Sequence, residues 1–338
     1  MTVAMSDAEE IVELASELVG WRVLSAIPVR RGGNNRVFKL TGRETSAALK
    51  IYPAQKEDPR DRLAHEFGAL TFLTRFGVTD VPRPIACDPA RHCAAYEWLD
   101  GVPLSGVGVA DIEELADFFI RIQQTRQCEG AVALPEGATA ALSPAGVAGQ
   151  LAQRLERLVA VISAGTEVAD FVEESLKPAV AQAIDHLRRG CETEGLDFTA
   201  ALPWKFRVLS PSDFGFHNAL RRPNGRLAFL DFEYFGWDEP SKAVADVMLH
   251  AGMSLSDELA YRYRTRVMEA LRDTDPGFAK RFDVFFPSMR AIWCLILLNE
   301  FLPERWARRV LAGVADDRAV IEGRQLVKAR NLLARDFR

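Results

Sequence analysis

Leu209-Ser210-Pro211-Ser212-Asp213-Phe214-Gly215-Phe216-His217-Asn218-Ala219-Leu220, continued by Leu227-Ala228-Phe229-Leu230-Asp231-Phe232-Glu233, is the stretch on which the fold of this chain is read. The first segment sets Pro, Ser, Asp, Gly and Asn between apolar flanks, so Val208 to Leu220 reads as an irregular loop. Arg226 to Phe232 reads as a short apolar strand running into acids. Pro223-Asn224-Gly225 between them is a hairpin turn, which returns the strand end to the side of the loop. Asp231 and Glu233 stand two apart, and strand alternation turns both carboxylates to one face.

Asp213 and Asn218 are five residues apart, the Asp-x-x-x-x-Asn spacing of a phosphoryl-transfer catalytic loop. In that chemistry the Asp accepts or orients the acceptor hydroxyl proton, and the Asn amide oxygen holds a magnesium ion. Asp231 follows 18 residues after Asp213 and supplies the carboxylate oxygen that a hard cation prefers. Asp213-Phe214-Gly215 also spells a magnesium-binding string, which would make Asp213 the metal ligand. A catalytic loop would then lie upstream, but Asp197 has Leu202 five residues later in place of Asn. Asp213 is therefore read as the base and Asp231 as the metal ligand.

Working outward toward the N-terminus, Trp21 to Val29, Val37 to Leu40 and Ala47 to Tyr52 read as strands, and Pro59 to Phe76 as an amphipathic helix. Lys50 near the end of the third strand is suited to neutralise α- and β-phosphates, and Glu66 in the helix to hold that Lys by an ion pair. Gly32-Gly33-Asn34-Asn35-Arg36 is neither GxGxxG nor a Walker A loop. Its Gly33, Asn34 and Asn35 tolerate the backbone conformations that bring N–H groups to phosphates. Two further strands are expected around Ile85 and at Ala94 to Leu99, with a turn at Asp100-Gly101. Beyond it the patterns are helical, at Asp111 to Gln127, Val147 to Ala164, Glu167 to Glu192, Ser241 to Met253, Ser256 to Asp273, Ala279 to Phe301 and Asp316 to Asp336. Ala133 to Gly149, rich in Ala, Gly and Pro, is expected to be a flexible connector.

The bulk properties narrow the function class. The 338 residues carry 42 basic and 47 acidic side chains, a net charge of −5, so no broad basic face for nucleic acid is expected. Five cysteines without CxxC spacing offer neither a disulfide framework nor a zinc site. The first residues are acidic with no apolar run of signal length, and Ala291 to Leu298 is too short to span a bilayer and reads as a buried helix segment. A cytoplasmic location with no membrane partner is the expectation.

With these residues assembled, the chain resembles the aminoglycoside phosphotransferase and choline kinase superfamily, the small-molecule relatives of protein kinases. The resemblance runs from about Trp21 to the C-terminal helices and is densest at Ser212 to Leu220 and Leu227 to Asp246. It implies an α+β, bilobal protein-kinase-like fold. A small antiparallel sheet lobe with one main helix spans residues 1–99, and a larger, mainly helical lobe spans residues 100–338. Tyr96 to Gly101 resembles the hinge, whose backbone at Glu97 and Leu99 would bind adenine. Pro240 and Asp246 would shape the helix after the metal ligand.

The activity implied is ATP-dependent transfer of the γ-phosphate to a hydroxyl of a small molecule such as a sugar, amino sugar or amino alcohol. Asp213 would be the catalytic base, and ATP and Mg2+ the cofactors, with GTP left open as donor. Two departures stand out. Pro211 occupies the place of the family histidine two residues before the base, and Gly215 that of a second one two residues after it. His217 precedes Asn218 and reads as a packing histidine, with contact to a phosphate as the other reading. A catalytically inactive nucleotide-binding relative is the alternative, and a metal hydrolase using Asp231 and Glu233 a third reading. A cationic acceptor would call for carboxylates or an aromatic cage, and Trp293, Asn299, Glu300 and Trp306 are the candidates. The oligomeric state is not read from the sequence.

Overall fold

The computed structural model describes residues 7–29, 35–52, 61–311 and 317–337. Gly33 and Asn34 lie outside the described residues, as do the expected helix starts at Pro59 and Asp316. The first element among the described residues is a helix that the sequence reading missed, α1 (Asp7–Val19). Strands β1 (Ser25–Val29), β2 (Arg36–Thr41) and β3 (Ser46–Ile51) follow, then helix α2 (Arg62–Arg75) and strands β4 (Pro84–Asp88) and β5 (Cys93–Glu97). They form one antiparallel sheet in the order β1-β2-β3-β5-β4. Leu40, Ala47, Leu49 and Cys93 of the sheet are fully buried with Ile11 and Ala15 of α1, so α1 closes one face of the sheet.

Helix α2 starts where Asp61 accepts a hydrogen bond from the Ala64 N–H at 2.9 Å. It presents Leu63, Glu66, Leu70 and Leu73 to the interior, so a carboxylate shares the apolar stripe. After β5 the short strand β6 (Val102–Pro103) pairs with β8 (Ala219–Arg221), and β8 pairs with β9 (Leu227–Phe229). The segment after the small lobe is thus stitched to the hairpin quoted above.

The remainder is mostly helical. Its helices are α3 (Val109–Gln124), α4 (Pro144–Val159), α5 (Glu167–Phe171), α6 (Lys177–Glu194), α7 (Pro240–Leu249), α8 (Asp257–Leu271), α9 (Phe278–Leu297), α10 (Pro303–Leu311) and α11 (Arg318–Ala334). A π-helical turn, Val172–Leu176, joins α5 to α6, where the sequence reads as one continuous helix. Strands β7 (Val208–Ser210) and β10 (Gly236–Asp238) pair antiparallel inside this lobe. Phe278–Phe301 is long and apolar enough to cross a membrane, but 67% of its most apolar stretch is buried within the protein, as expected of a core helix.

The flexible connector expected at Ala133 to Gly149 is corrected. This segment lies along the free edge of β10: Trp237 N–H donates to Pro135 O at 2.9 Å and Gly137 N–H to Trp237 O at 2.9 Å. Ala141 N–H donates to Asp238 Oδ1 at 3.1 Å, and from Pro144 onward the segment is already helix α4, capped by Ser143. The physical reason is that an edge strand offers unpaired backbone groups, and a Gly-rich segment can approach closely enough to take them. A Cβ added at Gly236 would stand 2.4 Å from Pro135 O and 2.5 Å from Gly137 N. Gly236→Ala is therefore expected to lower stability by about 1–3 kcal/mol in urea denaturation, the range for overpacking. Gly68→Ala, in the exposed interior of α2 with open space around it, is expected to raise stability by about 0.5–1 kcal/mol in the same experiment.

Candidate active site

The site is organised around one buried ammonium. Lys50 leaves β3 and places its Nζ 2.6 Å from Glu66 Oε2 on α2 and 2.6 Å from Asp231 Oδ1 beyond β9. Glu66 also accepts from the Tyr52 hydroxyl at 2.6 Å, and its other oxygen accepts from the Phe232 N–H at 3.3 Å. Tyr52 and Tyr96 hydroxyls meet at 2.7 Å, which links Glu66 to the last residues of the sheet. Burial alone would lower the Lys50 pKa, but the charges of Asp231, Glu66 and Glu233 outweigh it and hold it well above the ordinary lysine value. The ion pair expected between Lys50 and Glu66 is present, and Asp231 joins it.

The geometric reason given for Asp231 and Glu233 is corrected. Strand β9 stops at Phe229, and Asp231 has a left-handed backbone, φ 68°. A strained turn, not strand alternation, brings the two carboxylates toward Lys50. Glu233 lies 3.8 Å from Lys50 Nζ, and both its oxygens are engaged: Oε1 accepts from Arg62 Nη1 at 3.0 Å and Oε2 from Asn35 Nδ2 at 2.8 Å. Glu66, Asp231 and Glu233 are close enough together to hold a cation, and the Lys50 ammonium occupies their midst. The Asn35 side chain is on Glu233, where the sequence reading had it among the phosphate-binding residues.

Across the cleft, Asp213 is fixed by partners that the sequence reading did not assign to it. His217 Nε2 lies 2.9 Å and His250 Nε2 3.2 Å from the same oxygen, Asp213 Oδ1. The two imidazoles are stacked, 3.8 Å between centroids and 5° from parallel. His250 Nδ1 accepts the Gly252 N–H at 3.0 Å, so the neutral ring carries its proton on Nε2 and donates it to Asp213. Burial would raise the Asp213 pKa, but the hydrogen bonds and charge of the two histidines hold it well below the usual carboxylate range. The His250 pKa is itself lowered, by burial and by His217, against the pull of Asp213.

His217 is thus a direct partner of Asp213, and the lone packing role is corrected. His250 stands 37 residues downstream at the end of α7, beyond the reach of any local motif. The only signal for it was its place shortly after Asp246, at the end of the helix that follows the acidic strand.

Asn218 Nδ2 donates to the Asp213 carbonyl at 3.0 Å, which closes the Asp213–Asn218 loop and turns the amide oxygen away from it. The Asn218 carbonyl accepts from the Leu230 N–H at 2.8 Å, so Asn218 and Asp231 lie on adjoining backbone segments. Gly215 gives the loop room: a Cβ there would be 2.3 Å from Met253 Sδ, which accepts the Phe216 N–H. Phe214 packs among Phe118 and Phe229 instead of lining the cleft. Asp197, weighed as an alternative base, caps its own turn by accepting from Thr199 and Ala200 N–H groups.

At the expected hinge, Glu97 N–H donates to Arg83 O at 2.8 Å, and the Leu99 backbone has no backbone partner among the described residues. Trp293, offered as part of an aromatic cage, is buried and donates its Nε1–H to Asp246 Oδ1 at 2.9 Å. Its ring meets His250 edge-on at 4.7 Å.

A small antiparallel sheet with a helix-borne Glu, joined to a helical lobe that carries Asp, Asn and a second Asp, is the build of a kinase-like phosphotransferase. Residues 25–278 match the model of the phosphotransferase enzyme family (APH), and the chain belongs to that family. It is a small-molecule kinase by class. No curated protein matches the sequence. Among solved structures, choline kinase LicA from Streptococcus pneumoniae superposes with a TM-score of 0.60 at 16% identity, over 96% of this chain and 98% of that one. Spectinomycin phosphotransferase APH(9)-Ia, in complex with ADP and spectinomycin, does so at 0.61 and 12% identity, over 97% and 99%. An ethanolamine kinase from Plasmodium vivax gives 0.58 at 12%, over 94% and 85%.

Two outcomes follow from this geometry. Lys50→Met leaves buried carboxylates without their counter-charge and is expected to cost about 3–5 kcal/mol in chemical denaturation. Because the folded-state pKa of Lys50 is raised, that deficit stays constant up to the ordinary lysine value near ~10.4 and shrinks only as pH rises through the higher folded value. His250→Ala removes one donor from the Asp213 carboxylate and is expected to raise the Asp213 pKa, read by NMR titration of its carboxyl carbon.

Proposed function

We propose that the protein transfers the γ-phosphoryl group of ATP to a hydroxyl on a small molecule, with Asp213 orienting that hydroxyl and accepting its proton. The observation that carries this reading is the linkage of the two halves of the site. Lys50 of the sheet lobe holds Asp231 directly, and the Leu230–Asn218 bond ties Asp231 to the loop of Asp213. We take residues 1–99 as the nucleotide lobe and 100–338 as the catalytic and acceptor lobe. Adenine would lie against the Glu97–Leu99 backbone, and the loop of Gly33 and Asn34 over the phosphates.

The residues suit magnesium. The Asn218 amide oxygen is turned away from the loop, and Asp231 keeps 32% of its side chain exposed with only one oxygen on Lys50. Both donors are hard oxygens. Mg2+, held there by Asn218 and Asp231, would offset phosphate charge as it moves to the leaving and transferring groups. Asp213 presents its second oxygen to the acceptor while the two histidines hold the first, so the carboxylate is oriented and kept ionised. Proton transfer then accompanies attack instead of preceding it, since a carboxylate of depressed pKa is a weak base. Lys50 neutralises the α- and β-phosphates, and Glu66 keeps it aimed. The family's members phosphorylate quite different hydroxyls, and a Mg-ATP acceptor panel is the direct way to find this one.

The full set Lys50, Glu66, Asp213, Asn218 and Asp231 weighs against a catalytically inactive relative. Asp213→Asn is expected to lower turnover about 100- to 10,000-fold with ATP binding retained, measured as ADP release with Mg2+ over the acceptor panel. Activity equal to that of the unmodified chain would sink the assignment of the base.

A further inference from the structure

Lys50 shares its face of the sheet with two tyrosines. Ala48, Lys50 and Tyr52 alternate by two along β3 and just past its end, and Ala48 and Lys50 stand opposite Tyr96 and Ala94 of β5. Lys50 and Tyr52 reach Glu66 of α2 on this side, while Ala47, Leu49 and Cys93 pack toward α1 on the other. The Tyr52 N–H donates to His92 O at 2.8 Å, which holds Tyr52 against the turn between β4 and β5. Both tyrosines are 4% exposed, so each hydroxyl needs a partner within the protein.

Those partners form a one-way chain. A carboxylate only accepts, so Tyr52 spends its single hydroxyl proton on Glu66 Oε2, 2.6 Å away. The Tyr96 hydroxyl, 2.7 Å from that of Tyr52, must then donate to it. Burial and the charge of Glu66 raise the Tyr52 pKa, so the hydroxyl keeps the proton it donates. The Tyr52 ring also faces the ammonium, with its centroid 5.2 Å from Lys50 Nζ.

What the hydroxyl does follows from how Glu66 is held. Glu66 Oε1 accepts one long bond, from the Phe232 N–H at 3.3 Å. Glu66 Oε2 accepts from Lys50 Nζ and from Tyr52, both at 2.6 Å. Without the tyrosine, Oε2 would be fixed only by the ammonium that Glu66 is there to aim. Tyr52 is anchored on the sheet, so its bond sets the carboxylate whether Lys50 leans toward Asp231, as here, or toward a phosphate.

Resting on the phosphotransferase reading above, we propose that Tyr52 is a positioning residue of the nucleotide site: its hydroxyl fixes the Glu66 carboxylate and thereby aims the Lys50 ammonium at the phosphates of ATP. Tyr96, the residue before Glu97, supports it by donating to the same hydroxyl.

The test uses the full chain, with urea denaturation for stability and calorimetric titration for binding of two probes, Mg-ATP and adenosine. Tyr52→Phe keeps the ring and removes only the hydroxyl. It leaves the buried Tyr96 hydroxyl without its acceptor, so a lower urea midpoint is expected. The double variant Tyr52→Phe with Tyr96→Phe removes both partners and is expected to recover most of that midpoint. Mg-ATP is expected to bind about tenfold more weakly to Tyr52→Phe, the loss of one hydrogen bond to a charged group. Adenosine has no phosphate for Lys50 to meet and is expected to bind Tyr52→Phe as it binds the unmodified chain. The double variant is expected to regain stability without regaining Mg-ATP affinity, a split that a merely structural hydroxyl would not give. Equal Mg-ATP affinity in Tyr52→Phe, an equal loss for adenosine, or recovery of Mg-ATP affinity together with stability overturns the proposal and leaves the kinase reading intact. An unmodified chain that binds no Mg-ATP overturns both.

Discussion

A lysine ammonium held between two lobes by carboxylates from each is the interaction on which the rest of this structure depends. Lys50 belongs to the sheet, Glu66 to the helix beside it, and Asp231 to the turn beyond β9. None of the three is stable in the interior alone, since a buried unpaired charge is far more costly than a paired one. Their mutual need fixes the distance between the sheet and the hairpin of β8 and β9. Glu233 adds a second tie, to Arg62 of α2 and Asn35 of the preceding loop. Two acids, two residues apart after one short strand, therefore have different work: Asp231 keeps an oxygen toward the cleft, and Glu233 closes the lobes from behind.

The opposite wall is built on a different principle. Asp213 is steadied by two imidazoles stacked on each other, one from its own loop and one from the end of α7. That arrangement ties the loop to α7, and α7 is tied in turn through Asp246 to Lys242 and Trp293. Two positions that hold histidine in the resembling family are Pro211 and Gly215 here. Gly215 admits Met253 against the loop backbone, and His250 supplies from a distant element a contact to Asp213.

Much of this was legible in the sequence where the information is local. The strands β2, β3 and β5 and the helix α2 follow from alternation and helical spacing, and the order Lys50, Glu66, Asp213, Asn218, Asp231 from motif spacing. What was not legible is contact between distant segments. His250 on Asp213 spans 37 residues, and Asn35 on Glu233 spans 198. The Ala133 to Gly149 segment looked loose because its composition is loose, and only the open edge of β10 explains why it is ordered. The left-handed turn at Asp231 was hidden for a related reason: an Asp after an apolar run looks like a strand end, and nothing in the local pattern announces φ 68°.

Calorimetric titration of the unmodified chain with ATP, in magnesium and in EDTA, tests the central claim most directly. The account predicts one ATP per chain, bound more tightly with magnesium than without, because Asn218 and Asp231 would hold the metal that bridges to the phosphates. ATP that fails to bind, or binds with equal affinity in EDTA, would contradict it.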